Sequence, residues 1–268
     1  MARKPKATQE APAAERSSRG IQSIEVGGEL LKALVRRGQP MALKDLAAAA
    51  GLPAARAHPY LVSFSKVGLI EQDPDTSHYR LGSLAIEAGL ISLQQVDPVR
   101  LASDALPALA AELSCTLSLA VWGDAGPVIV RVEPSPTAVH VAMRHGTPAS
   151  LRQTGTGKVF AAYMPQEKLT EALRREPVEG KQAASDFLRE LDTLRRNGVS
   201  TVKDELLPGV SAMAVPVFDA FGKLVMAIAA IGPNHLLDLR LDGKQVTALK
   251  QLGVNVSRQL GNAANAPR

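Results

Sequence analysis

Aromatic side chains make up only 3% of the 268 residues, so any core this chain builds must be filled mainly by aliphatic groups. A single cysteine, Cys115, excludes an internal disulfide and a multi-cysteine metal site, in keeping with a reducing compartment. Apolar runs are short: Leu224 to Ile231 falls far below the roughly 18 to 20 residues that a membrane helix needs, so no membrane partner is expected. The basic opening Met1 to Lys6 is not followed by a continuous apolar segment and does not read as a secretory signal, which predicts a cytoplasmic protein. The histidines His58, His78, His140, His145 and His235 lack the paired spacing of a zinc site, so no metal and no cofactor is expected.

What is present is a globular composition, 46% hydrophobic and 21% charged, at a length that suits two domains split about one third to two thirds. Charge is unevenly placed. Residues 1 to 81 carry 12 Lys and Arg against 8 Asp and Glu, while the rest carry 19 against 18, so most of the net +5 lies in the first third. A small basic unit behind a basic arm suits a polyanion, because phosphate contacts release counterions.

Residues 1–20 lack hydrophobic period and read as a disordered basic arm. A first helix is expected from the cap Ser23, with Ile24, Leu31, Leu34 and Val35 on its inner face, until Gly38 and Pro40 stop it. A second spans Ala42 to Ala50 and ends at Gly51. The third runs from about Pro53 to Val67, with Ala57, Leu61, Phe64 and Val67 facing the first two. A hairpin with its tip at Asp73-Pro74-Asp75 follows, completing a three-helix unit with a wing over 21–82.

A linker helix over 83–97, containing Leu84, Ala88 and Ile91, leads to a second domain over 98–262, with a disordered tail at 263–268. There the pattern predicts an α+β fold. Its helices lie near Val99 to Leu113, from Gly155, Gln166 to Arg175, Ala183 to Asn197 and Gly243 to Leu260. Its strands lie near Thr116 to Trp122, Val128 to Glu133, Val139 to Met143, Val199 to Lys203, Ser211 to Val217 and Leu224 to Ile231.

Two segments resemble the IclR family of bacterial transcriptional regulators. One is Leu43-Lys44-Asp45-Leu46-Ala47 through Gly51-Leu52-Pro53 and Tyr60-Leu61 to Val67-Gly68-Leu69-Ile70, then Tyr79-Arg80-Leu81-Gly82. The other is Gly155-Thr156-Gly157-Lys158, Asp204-Glu205, Gly209, and Ala214-Val215-Pro216-Val217-Phe218-Asp219 with Gly222. The resemblance implies a winged helix-turn-helix, a linker helix that helps pair two subunits, and a GAF-like effector-binding domain. One position departs from it: Pro59 stands where relatives commonly place a basic residue. Proline inside a helix removes a backbone bond at a cost of about 3 kcal/mol, so either the helix starts later than Pro53 or its first turn is bent.

A helix-turn-helix lays its second helix in the major groove, N-terminal residues toward the bases, which points to Ala54, Ala55, Arg56 and His58. Arg56 is the candidate base reader, since its fork can bond guanine O6 and N7 together. Lys44, Ser63, Lys66, His78 and Arg80 are candidate backbone contacts. The expected partners are double-stranded DNA with a palindromic operator, and a second or fourth copy of the chain.

The glycines of Thr154-Gly155-Thr156-Gly157 expose amides at a helix start, which attracts an anion, and a small organic acid is the expected effector. It is not a nucleotide P-loop: Val159 follows Lys158 where Ser or Thr is required, and Arg152 replaces the first glycine. Asp204, Glu205, Ser211 and Met213 are expected to face this helix, with Leu119, Val141, Met143 and Leu151 as apolar walls. An enzyme using Cys115 with His140 or His145 finds no activating motif. A larger domain that only assembles oligomers is the remaining alternative.

Overall fold

A computed structural model describes residues 20–137, 141–176 and 181–262, without the side chains of 181–183. The expected arm and tail therefore lie outside the described residues, apart from Gly20 and the domain's last residue Asn262, as do Val139 and His140. The chain forms two compact units, with the boundary between Ile91 and Ser92.

In the first unit α1 (Gln22–Arg37), α2 (Leu43–Ala49) and α3 (Ala54–Lys66) precede a hairpin of β1 (Ile70–Gln72) and β2 (Tyr79–Leu81). The expected inner face of α1 is corrected. Its buried positions are Gly27, Leu30, Ala33 and Leu34, whereas Ile24 and Val35 are 70% and 61% exposed. The reason is close approach: a Cβ at Gly27 would lie 2.8 Å from Phe64 Cζ and 3.2 Å from Tyr60 Cδ1, so the bare glycine lets the rings of α3 seat against α1. The helix starts at Gln22 after Ile21, not behind a Ser23 cap, and ends at left-handed Gly38. Leu30, Leu34, Leu46, Ala57, Leu61, Ile70 and Tyr79 form the core, and Val67, expected inside, is exposed.

Helix α3 begins at Ala54, which rules out the later start considered for Pro59; the proline sits inside the helix, on its exposed side. Its carbonyl accepts a 3.0 Å bond from Ser63 Oγ. The wing is fixed at its tip by Asp73, whose Oδ1 accepts from the Thr76 and Asp75 amides and from Thr76 Oγ1. The Thr76 amide and hydroxyl together hold this carboxyl below the usual carboxylate range.

Helix α4 (Ser83–Gln95) follows, and none of its side chains is buried within the chain. In the second unit the single helix expected from Val99 to Leu113 is two, α5 (Pro98–Ser103) and α6 (Leu106–Leu113). Pro107, in the first turn of α6, has no N–H to continue the ladder from α5. Asp97 caps α5 by accepting from the amides of Val99 and Arg100.

The sheet contains β3 (Thr116–Gly123), β4 (Gly126–Glu133), β5 (Ser200–Lys203), β6 (Val210–Phe218) and β7 (Leu224–Pro233), all antiparallel, in the order β4-β3-β7-β6-β5. A strand was expected from Val139 to Met143, but Val141, Ala142 and Met143 carry no strand pairing. Alternation along the strands divides the core in two. One face sends Leu117, Leu119, Met213, Val215, Met226 and Ile228 against α5, α6 and α10 (Lys244–Gln259). The other sends Ala120, Ala214, Ala227 and Ala229 beneath α7 (Gly155–Tyr163) and α9 (Lys181–Asn197), beside α8 (Gln166–Arg174). The fold is α+β. No helix among the described residues is long and apolar enough to cross a membrane.

Candidate functional site

On α3 the outward positions are Ala55, Arg56, His58, Val62, Ser63 and Lys66, with Ala54 half-buried, while Ala57 and Leu61 anchor the helix to the core. The predicted Arg56 and His58 are therefore both exposed in the first turns of the helix, on opposite flanks of buried Ala57. Lys44 is exposed on α2, and His78 is half-buried at the tip end of the wing, where its carbonyl accepts from the Asp73 amide. Arg80 pairs at 3.2 Å with Glu71, directly opposite it in the hairpin, so its charge is partly matched before any DNA arrives.

At the start of α7, Thr154 Oγ1 accepts from the Gly157 amide at 2.9 Å and donates to Ser150 O at 2.7 Å. No acceptor among the described residues takes the amides of Gly155 and Thr156, the first two of the helix. The loop entering it is strapped to Glu176, two residues past the end of α8. Glu176 accepts from Leu151 N at 2.9 Å and Ser150 Oγ at 2.6 Å, and its carbonyl accepts from Arg152 Nε at 3.0 Å. The Arg152 guanidinium lies 4.7 Å from the Phe187 ring centre. Nothing in the sequence pattern pointed to Glu176, which lies 25 residues away from Leu151 in the chain.

The predicted effector residues do not all converge. Met143 packs against the core beneath α7, but Leu119 and Met213 belong to the opposite face of the sheet, because each lies on the other parity of its strand. Asp204 accepts from Asn234 Nδ2 at 2.8 Å and from the Gly209 amide at 2.6 Å, contacts that hold its carboxyl below the usual range. Ser211 Oγ donates to Asn234 Oδ1 at 2.6 Å, so Asp204 and Ser211 fasten the turn between β5 and β6 to the end of β7. Glu205 reaches α7, but by its middle: both its oxygens accept from Lys158 Nζ, at 2.6 and 2.9 Å, and Glu190 of α9 accepts at 2.8 Å. The Lys158 side chain is only 6% exposed, at the inner wall of a polar cavity of about 630 Å³ that Thr193, Asn197 and Thr201 also line.

Cys115, weighed as a nucleophile, is not activated. Burial pushes the Cys115 thiol up to about 12, far from a reactive thiolate. His145 Nε2 is engaged as acceptor for Val132 N at 3.3 Å. No cluster of three His, Cys, Asp or Glu among the described residues could hold a metal ion.

A basic helix-turn-helix followed by a sheet domain of this topology invites comparison with known proteins. Residues 23–74 match the IclR helix-turn-helix domain, and residues 91–258 match the family described as bacterial transcriptional regulator IclR C-terminal. The chain belongs to the IclR family. The glycerol operon regulatory protein of Streptomyces griseus is 29% identical over 258 residues, spanning 91% of this chain and 98% of that protein. The transcriptional repressor IclR of Escherichia coli K12 is 26% identical over 247 residues, spanning 90% of this chain and 89% of the repressor. Among solved structures, Pseudomonas aeruginosa HmgR superposes with a TM-score of 0.85 at 33% identity, covering 91% of this chain and 99% of that one. This IclR-family chain is accordingly a transcriptional regulator with a helix-turn-helix DNA-binding domain and a C-terminal domain, and not an enzyme.

Proposed function

We propose that the chain binds a palindromic operator as a dimer, or a tetramer made of two dimers, and that a small organic acid at the start of α7 controls its affinity for DNA. The observation that carries the sensing half is the pair of amides at Gly155 and Thr156 that no acceptor among the described residues takes. A helix start with open donors and a positive dipole end favours a carboxylate, and such a ligand adds to the stability of the state it prefers. Retention of operator fragments by the purified protein, and its weakening or strengthening by an added acid, tests the reading directly. A melting temperature indifferent to every acid, with DNA binding intact, would leave the larger domain a purely oligomerising one.

The DNA half rests on the exposed N-terminal turns of α3. Arg56→Ala is expected to weaken binding to the selected operator by about 1 to 3 kcal/mol while leaving binding to random duplex nearly unchanged. Equal weakening on both duplexes, measured by fluorescence anisotropy at one salt concentration, would make Arg56 a phosphate contact instead.

Self-association is supported by α4, where Leu84, Ile86, Leu90, Ile91 and Leu93 are all exposed. Apolar side chains repeated along one helix mark a partner surface. Leu90→Asp combined with Ile86→Asp is expected to shift the protein to monomers in analytical ultracentrifugation and to lose cooperative operator binding. An unchanged sedimentation coefficient would place the dimer contact elsewhere.

A further inference from the structure

The polar cavity at Lys158 lies between the middle of α7, α9 and β5, the last strand of the sheet, and neither Gly155 nor Thr156 lines it. Its volume of about 630 Å³ is that of a site for a small molecule. Charge within it does not balance. Arg189 is paired with Asp186, which leaves Lys158 to face both Glu190 and Glu205, one cation against two carboxylates. Glu190 Oε2 at 2.8 Å and Glu205 Oε2 at 2.6 Å contact the same nitrogen, so the two carboxylates are held side by side with one negative charge in excess. A carboxylate offers about four acceptor positions, so both keep acceptors to spare. Ser200 supplies an independent sign. It lines the cavity, is only 4% exposed, and its Oγ forms no hydrogen bond with any described residue. Buried hydroxyls are normally bonded, so one left unpaired on a cavity wall points to a partner inside the cavity. The half-buried side-chain amide of Asn197, at the same cavity, is likewise unpaired among the described residues.

We propose that this cavity is a second ligand site, and that it takes a primary amine on a short aliphatic stem. The reading goes beyond acid sensing at the start of α7 and does not depend on it. An ammonium brings one positive charge and three N–H donors, which match the surplus charge and the acceptors of Glu190, Glu205 and Ser200. Leu194, Val199 and Leu241, at the same cavity, offer apolar surface for the stem. Other ligand classes fit less well. An acid would add negative charge where there is already an excess, and a neutral alcohol would leave that excess unmatched. A quaternary ammonium donates no hydrogen bond and is recognised by aromatic faces, whereas no aromatic side chain among the described residues lines this cavity. A metal ion would need a cluster of ligands that the described residues do not form.

The test uses the full-length protein in an amine-free buffer with three probes, butylamine, 1-butanol and tetramethylammonium, read by thermal shift and calorimetric titration. Butylamine is expected to raise the Tm and the other two to leave it unchanged. Glu190→Gln leaves Lys158 both oxygens of Glu205 and should fold; it is expected to weaken butylamine binding at least about tenfold. Ser200→Ala, which removes an unpaired group, is expected to weaken it about fivefold. Glu167→Gln, which removes the same charge from an exposed position on α8 outside the cavity, should leave binding unchanged. A response to 1-butanol equal to that of butylamine would overturn the charge match, and an equal response to tetramethylammonium would overturn the hydrogen-bonded ammonium. No response to butylamine, or full binding by Glu190→Gln, would overturn the site itself.

Discussion

Gly157→Ala is expected to cost about 3 kcal/mol of stability, the upper end of what single substitutions usually do, and to abolish any ligand response. The added Cβ would lie 1.9 Å from Ser150 O, 2.5 Å from Ser150 C and 2.6 Å from Leu151 Cα. All three are backbone atoms, so no side-chain rotation relieves the overlap. The loop that would have to move is tied down by Thr154 Oγ1, which bonds Ser150 O, and by Glu176, which takes Ser150 Oγ and Leu151 N. Gly155→Ala is the control two residues away: its nearest neighbour would be 3.5 Å distant, an ordinary contact, and its cost should stay below about 1 kcal/mol. Urea denaturation of the two variants separates them. Equal midpoints would mean that the loop before α7 yields easily and does not define the helix start.

The second large effect concerns the buried ammonium of Lys158, and it is asymmetric. Glu190→Gln together with Glu205→Gln is expected to destabilise the protein by about 3 kcal/mol or more, because it leaves a charged group that is 6% exposed without either counterion. Lys158→Met should cost markedly less. It leaves two carboxylates, but their side chains are 53% and 35% exposed, so water can solvate them once the lysine is gone. The methionine also fills most of the lysine's space among the apolar neighbours of α7. Thermal melts at neutral pH compare the two. A lysine variant at least as damaging as the double glutamine variant would show that the ammonium itself, and not its burial without partners, is what the fold requires.

How far these features could be read in the sequence depends on what encoded them. The helix-turn-helix was legible because its signals are local: Gly38, Gly51 and Gly68 each take a left-handed conformation where a helix or turn ends. The strands β3, β4, β6 and β7 followed from apolar runs bounded by turn residues. The inner face of α1 was misread because apolar periodicity gives no weight to Gly27, whose value lies in the absence of a side chain. Splitting α5 from α6 needed only Pro107, and the apolar pattern on both sides concealed it.

The candidate site was legible in its ends but not in its middle. Thr154 through Gly157 announced a capped helix start. Parity misassigned Leu119 and Met213, since a buried strand with helices on both faces is apolar at every position and does not say which side each residue takes. Lys158 and Glu205 are 47 positions apart, beyond any local pattern.

Helix α4 carries a consequence for how the molecule is made. Thirteen residues without a buried side chain are at the margin of what can remain helical in water, since nucleation is unfavourable and propagation adds little per residue. Its order should then depend on mass action: dilute the protein and the helical signal from this segment should fade before either neighbouring unit melts, and crowding many copies on an operator should restore it. On the proposed pairing through α4, the segment joining the two units gains its order only when copies meet, so the cell's dosage of this chain would set how stiff that segment is.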